Sequence, residues 1–358
     1  MTRPDANIYI ISNSIDTTFV SLAPLICRSV NAPFGPELAA ITFLERNGYD
    51  LHYASGFDMS GPSAFSLLER SRSYVDAGHD EYFSYPQRAA LESARSEGTH
   101  LNFWSGNEAY WSVRYSGRDL ICYKETQSDE KLDPEPGSWT GTFRDARDIN
   151  PVGAMPENGL TGTMFAANAQ RHDPIMLDGP GFGSHRAWRG TRLEGGWAGH
   201  AKPGVLGHEW DHPVDNGSSP PFLQRLTSTT VSNIQVIQDH GSTFDTGSAT
   251  HSIVLFRSPE SGAWTFGAGT VQFSWALGDL HDVNDPQRAN KYDVRVERDV
   301  MGGVGDIKQL VINVFEDQGV MPGSLEEVRK RDLAEKNELG SIDQPYPPLW
   351  SRFARRRG

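Results

Sequence analysis

The sequence predicts an α/β protein: a three-layer α/β/α core with a mostly parallel sheet, interrupted by a loop-rich β insertion. Three observations predict it. Strand and helix signals alternate over residues 1–125, and strand and helix signals return after residue 251. Between them, Gly, Pro, Asp and Asn clusters recur without helical periodicity. The expected core is therefore 1–125 plus 251–320, the loop-rich excursion 126–250, and 321–358 a charged C-terminal helix and tail. A chain of 358 residues can bury such a core without disulfide staples.

Each element has its own signal. Residues 7–12 read as a buried strand. Glu37 to Asn47 places Leu38, Ile41 and Leu44 on one helical face, and Gly48 supplies a C-cap. A strand at 50–55 precedes a short helix opened by Pro62. Another strand, 73–77, runs into Gly78-His79-Asp80-Glu81-Tyr82. The helix 86–97 begins at a proline, ends at Gly98, and buries Ala90, Leu91 and Ala94. Strands at 100–105 and 119–124 flank a helical stretch at 108–115. In the second half, 252–257 and 263–266 are strands, and Val271, Phe273 and Trp275 alternate as a half-buried strand does. Ile307, Leu310, Val311, Val314 and Phe315 trace the cleanest amphipathic helix, and 323–338 reads as a charged, solvated one.

Composition excludes several functions. Lys plus Arg number 33 against 46 Asp plus Glu, a net charge of −13. An acidic surface of this kind argues against nucleic acid or an anionic membrane as partner. Cys27 and Cys122 are too few for a disulfide framework or a cysteine-rich metal site. No stretch approaches 18 apolar residues, and the N-terminus lacks the order of a signal peptide. The expectation is a soluble, reduced, cytoplasmic protein.

The motifs differ in weight. His208-Glu209-Trp210-Asp211-His212 spells the zinc-protease string, in which two histidines one helical turn apart bind the metal. Here Gly207 precedes it and Pro213 follows, so a helix is disfavoured and a loop with solvated or hydrogen-bonded histidines is expected. Gly179-Pro-Gly-Phe-Gly183 lacks the strand and helix that a phosphate loop needs. Ser105-Gly106-Asn107 is more telling. A strand ends there in a tight turn, where an open α/β sheet lines its ligand crevice, presenting Asn107 and Glu108. Neither Ser nor Cys occupies the apex, which disfavours a nucleophile elbow. Asn107 could equally be a turn former in left-handed backbone. His79, Asp80, Glu81 and Tyr82 close a strand at the same edge, although Asp80 or Glu81 could simply cap a turn.

Taken in order, GHDEYFS, LNFWSGNEAYWSVR, CYKET, WTGTFRDAR, PENGLTG, HEWDHPVDNG and RSPESGAWTFGAGTVQFSW resemble the C-terminal region of the N,N-dimethylformamidase large subunit, over about residues 30–320. The resemblance implies a fold like that of class I glutamine amidotransferases. It implies a mononuclear ferric iron bound by two tyrosines and a glutamate, with Tyr82 and Glu157 in two of those places. Leu38 stands at the apparent position of the second tyrosine, with Tyr49 and Tyr53 as alternatives, and Met155 where a family histidine can stand. The glutamate thought to act on water corresponds to Glu260. Iron would polarise the amide carbonyl and activate water, and hard oxygen donors suit it. Asn107 could donate to the developing oxyanion, with His79, Glu108 and Gln272 lining the pocket. The expected function is hydrolysis of a small amide or formamide, with a small subunit or a homo-oligomer as partner. The alternatives are a catalytically inactive binding or assembly subunit that has lost the metal, and a zinc protease using His208 and His212.

Overall fold

The structure, a computed structural model, describes residues 6–12, 35–278 and 304–323. The first stretch carries β1 (Ala6–Ser12), β2 (Leu51–Ser55), β3 (Ser71–Asp76), β4 (Tyr82–Ser84), β5 (His100–Phe103), β6 (Trp111–Ser116) and β7 (Asp119–Ile121). The middle carries β8 (Met164–Asp178), β9 (Ala198–His212), β10 (Gln224–Arg225), β11 (Thr229–Ile237) and β12 (Phe244–His251). Two short strands follow, β13 (Val254–Arg257) and β14 (Trp264–Gly267).

A seven-stranded sheet runs β10-β13-β14-β5-β3-β1-β2. Its pairs from β14 to β2 are parallel, while β13 is antiparallel to both its neighbours. β12-β11-β8-β9 form a four-stranded antiparallel sheet, and β4-β6-β7 a small third one. Among the described residues three helices exceed two turns: Gly35–Arg46, Tyr85–Ser96 and Val304–Asp317. The second of these has a local cause at each end. The Ser84 hydroxyl accepts the Gln87 N–H at 3.1 Å, Pro86 sits in the first turn, and Gly98 at φ +101° ends the run.

More described residues lie in strands than in helices, so the protein is mostly β. The expected three-layer α/β/α fold with a mostly parallel sheet is overturned. What overturns it is the middle of the chain, where β8 and β9 span 15 residues each and pair with β11 and β12 as an antiparallel sheet. Their period is disguised by register shifts at Phe165/Ala167, Asn168/His172 and Asp173/Ile175. The shifts at Phe165/Ala167 and Asp173/Ile175 are odd in register and change which side chains share a face, so no long alternation survives in the sequence.

Two smaller expectations also fail. The helix placed at 108–115 is absent, because Ala109 takes a left-handed φ of +52° and the chain then enters β6 with bulky Trp111 and Val113. Val271, Phe273 and Trp275 lie not in a strand but at a 3-10 turn, Phe273–Leu277, buried throughout, so their alternation marks no solvent face. The charged helix placed at 323–338 falls outside the described residues but for its first.

The sheets share a core. Val75, Trp104 and Phe266 of the seven-stranded sheet and its strand ends pack in one cluster with Ile175, Leu206 and Trp210 and with Leu310 and Phe315 of the last helix. Tyr74 and Phe103 face the other way, onto Leu91, Phe143 and Leu160. No helix among the described residues is long and apolar enough to cross a membrane.

Candidate active site

Three parallel strands bring their carboxyl ends to one edge of the sheet. β3 leads into Ala77 to Glu81, β5 into Ser105 to Glu108, and β14 into Ala268 to Gln272. The end of β9 lies against the last of these: the Asp211 N–H donates to the Gly269 carbonyl at 2.9 Å, and the Gln272 N–H to the Gly207 carbonyl at 3.1 Å. Only glycine fits at 106, where a Cβ would sit 2.7 Å from the Thr270 nitrogen. Asn107 follows at φ +51°, a backbone conformation that Asn tolerates better than most residues.

His79 occupies the mouth. Its Nε2 lies 3.3 Å from Glu209 Oε2 and 3.7 Å from Glu81 Oε2, and its Nδ1 lies 3.2 Å from the Gly106 carbonyl. The side chains of His79, Glu81 and Glu209 are 26%, 21% and 16% exposed, so the group can meet a solute. Each carboxylate is held. Asn107 Nδ2 donates to Glu209 Oε2 at 2.9 Å, Asn168 Nδ2 to Glu209 Oε1 at 3.1 Å, and Trp111 Nε1 to Glu81 Oε1 at 3.0 Å. The Lys124 ammonium lies over the Trp111 and Tyr82 rings.

The charges follow from these contacts. Burial works against an imidazolium, but the hydrogen bond and charge of Glu209, then Glu81 and the Gly106 carbonyl, lift His79 to about 9. Burial likewise opposes the Glu209 carboxylate, and His79 with Asn107 overcomes it, bringing Glu209 to about 2. The pair is thus ionised at neutral pH. Glu81 is pushed up by burial and by Glu209, against the pull of His79 and Lys124.

Behind the mouth lies a layer of buried acids. Asp76 is raised to about 8 by burial, despite hydrogen bonds from Tyr74 and Asp80, with Glu37 pushing the same way. Glu108 is driven well up by burial and by Asp76, Asp211 and Asp80. Asp211 rises to about 6, burial outweighing the Asn107 N–H and Thr163 hydroxyl that it accepts.

The structure brings His79, Asn107, Glu108 and Gln272 together at this crevice. Asn107, expected as an oxyanion donor, instead directs its carboxamide to Glu209. Tyr82 starts β4 nearby, half-buried against the Tyr110, Trp111 and Phe165 cluster. Glu260 is elsewhere. It sits exposed in the turn between β13 and β14, accepting from the Ser258 hydroxyl, at the end of the sheet where β14 and β5 begin. Three contributors were not singled out from sequence as site residues: Glu209, Asp211 and Asn168. The first two lie in the HEWDH string, whose acids alternate onto one face of β9.

The residues do not fit the iron that the resemblance implies. Glu157 is engaged by Arg144, whose Nε reaches both carboxylate oxygens at 3.0 and 3.2 Å and whose Nη2 donates to Oε1 at 2.6 Å. Leu38 has no donor atom. Of its alternatives, Tyr49 packs edge-on to Phe315 in the core, and Tyr53 donates to Glu45 on the exposed edge. The zinc reading fares no better: β9 is extended, and four residues along a strand separate His208 from His212 by about 13 Å, where a helix would stack them.

The family described as N,N-dimethylformamidase beta subunit-like, C-terminal, matches residues 4–290, and the chain belongs to it. A search of curated proteins returns no match.

Proposed function

Proceeding from that membership, we propose that the chain is a hydrolase of a small linear amide, acting at the His79–Glu209–Glu81 crevice. One observation carries this: an accessible imidazole at the carboxyl end of a parallel strand lies between two carboxylates, those of Glu81 and Glu209. Glu81, with its raised affinity for protons, takes a proton from water as the oxygen attacks the amide carbon. As the C–N bond breaks, His79 gives its proton to the departing amine. The proton on Glu81 returns to His79 across the 3.7 Å between them, restoring both groups. Glu209 stays ionised throughout and holds the imidazolium in place.

The test is amine release from N,N-dimethylformamide and formamide by the purified chain, with metal content measured in parallel. Turnover that falls by at least about 100-fold in His79→Gln supports the proposal. Undiminished turnover in His79→Gln and Glu81→Gln overturns it. The buried Arg144–Glu157 pair favours a second reading, a non-catalytic assembly subunit whose internal cation occupies the carboxylate that would otherwise bind metal. The family's description names a beta subunit, and we propose a second chain as partner on that ground. No amine release, together with stable association with another subunit, supports that reading.

A further inference from the structure

We propose that Asp211 is a positioning residue that latches the Gly106–Asn107 turn against His79 and Glu209. The inference rests on the reading of His79 as the catalytic acid. The hydrogen bonds of the Asp211 carboxylate go to Asn107 and Thr163, not to His79 or Glu209. Its carboxylate is buried, and both oxygens are used: Oδ1 accepts the Asn107 N–H at 2.8 Å, and Oδ2 accepts the Thr163 hydroxyl at 3.0 Å. The turn it holds grips the catalytic pair from two sides. The Gly106 carbonyl faces His79 Nδ1 at 3.2 Å, and the Asn107 carboxamide reaches Glu209 Oε2 at 2.9 Å.

Topology makes this a device of one strand. Glu209 and Asp211 are two apart on β9, so they share a face. One carboxylate pairs with the imidazolium, and the other clamps the loop that orients it. The left-handed backbone at Asn107 is open to few residues other than Gly and Asn, and a charge-assisted bond to its N–H fixes it there. Cut the bond, and the Gly106 carbonyl and the Asn107 carboxamide lose their fixed positions together.

The experiment compares Asp211→Ala with Asp211→Asn by NMR titration of the His79 imidazole, whose resonance is assigned by its absence in His79→Gln. Asp211→Ala removes both acceptors, and the His79 midpoint falls by about one pH unit as the Gly106 carbonyl moves away. Asp211→Asn keeps an acceptor for the Asn107 N–H while deleting the charge, and the midpoint stays within about 0.3 unit of the parent. Where amide turnover is measured, kcat falls roughly 10- to 100-fold in Asp211→Ala with KM little changed, and Asp211→Asn rescues most of it. An unmoved midpoint in folded Asp211→Ala overturns the proposal. Equal falls in both variants overturn it too, because charge rather than position would then be the cause. If Asp211→Ala does not fold, Thr163→Val, which strips the second anchor of the same carboxylate, carries the same expectation in smaller measure, and no shift in it counts against the latch. The titration needs no turnover, so a wild type without amidase activity whose midpoint still falls in Asp211→Ala refutes the hydrolase and leaves the latch standing.

Discussion

Replacing Arg144 by Met tests how the structure disposes of Glu157. The two side chains are 5% and 1% exposed, so water cannot take over the contacts that the guanidinium makes. Three N–H···O approaches, the shortest 2.6 Å, bind one carboxylate. Removing one member of such a buried pair leaves an uncompensated charge and costs about 3–5 kcal/mol. Met recovers part of the packing over the Tyr110 ring, which the guanidinium meets at 5.2 Å, so the electrostatic term dominates. In a chain of 358 residues the loss corresponds to a fall in Tm of roughly 4–7 °C. Urea unfolding at pH 7 measures it. The double variant Arg144→Met/Glu157→Leu, with both charges gone, recovers at least about 2 kcal/mol of the loss. A single-variant loss below about 1 kcal/mol, or a double variant no better than the single, refutes the assignment of this pair as a closed structural unit.

Four further outcomes follow from the site. Stability falls as pH rises from 6.5 towards 9, because folded His79, at about 9, and folded Asp76, at about 8, hold protons that the unfolded chain has released. Urea midpoints across that range check this, and a flat profile contradicts the charge assignments. Glu209, at about 2 when folded, acts in the other direction: its contribution is complete above 4.5 and is lost as pH falls through 2, which Glu209→Gln should abolish. Glu260→Gln leaves any amide turnover within about twofold, since that residue lies at the opposite end of the sheet, and a loss of about 100-fold would restore it as the base. Tyr82→Phe leaves the iron content of the purified chain unchanged if the donor set is as incomplete as Leu38 and the Arg144–Glu157 pair make it; selective loss of iron in that variant would refute this.

The parts of the fold legible in the sequence are those with short-range causes. The helix Tyr85–Ser96 announces itself through Ser84, Pro86 and Gly98, and the last helix through its apolar stripe at Ile307, Leu310, Val311, Val314 and Phe315. The antiparallel sheet does not. β8 contains Pro174 and β9 contains Pro203, and both carry bulges, so the residues that pair across it look like loop. A strand that changes face every few residues is recognisable only beside its partner. The two ends of the chain, where local alternation is real, therefore point to parallel α/β, while the bulged middle decides the class.

The site shows the same division at finer scale. His79, Asn107 and Glu108 are legible because each lies in the loop that leaves a strand, and the loops at strand ends are where a sheet exposes backbone and polar side chains to a ligand. Glu209 and Asp211 carried a strong local pattern, but that pattern belongs to helices, and its two histidines drew attention from the acids between them. In a strand the spacing works differently: positions 209 and 211 fall on one face, whereas 208 and 212, also even-spaced, are too far apart to share a ligand. Glu260 lies apart from this group for the converse reason. A tight turn between two short strands fixes which end of the sheet it occupies, and β14 pairs parallel to β5 with Trp264 next to His100, which sends that turn away from Asn107. Proximity in this crevice is set by strand direction, a property of pairing that the residues of any one segment do not encode.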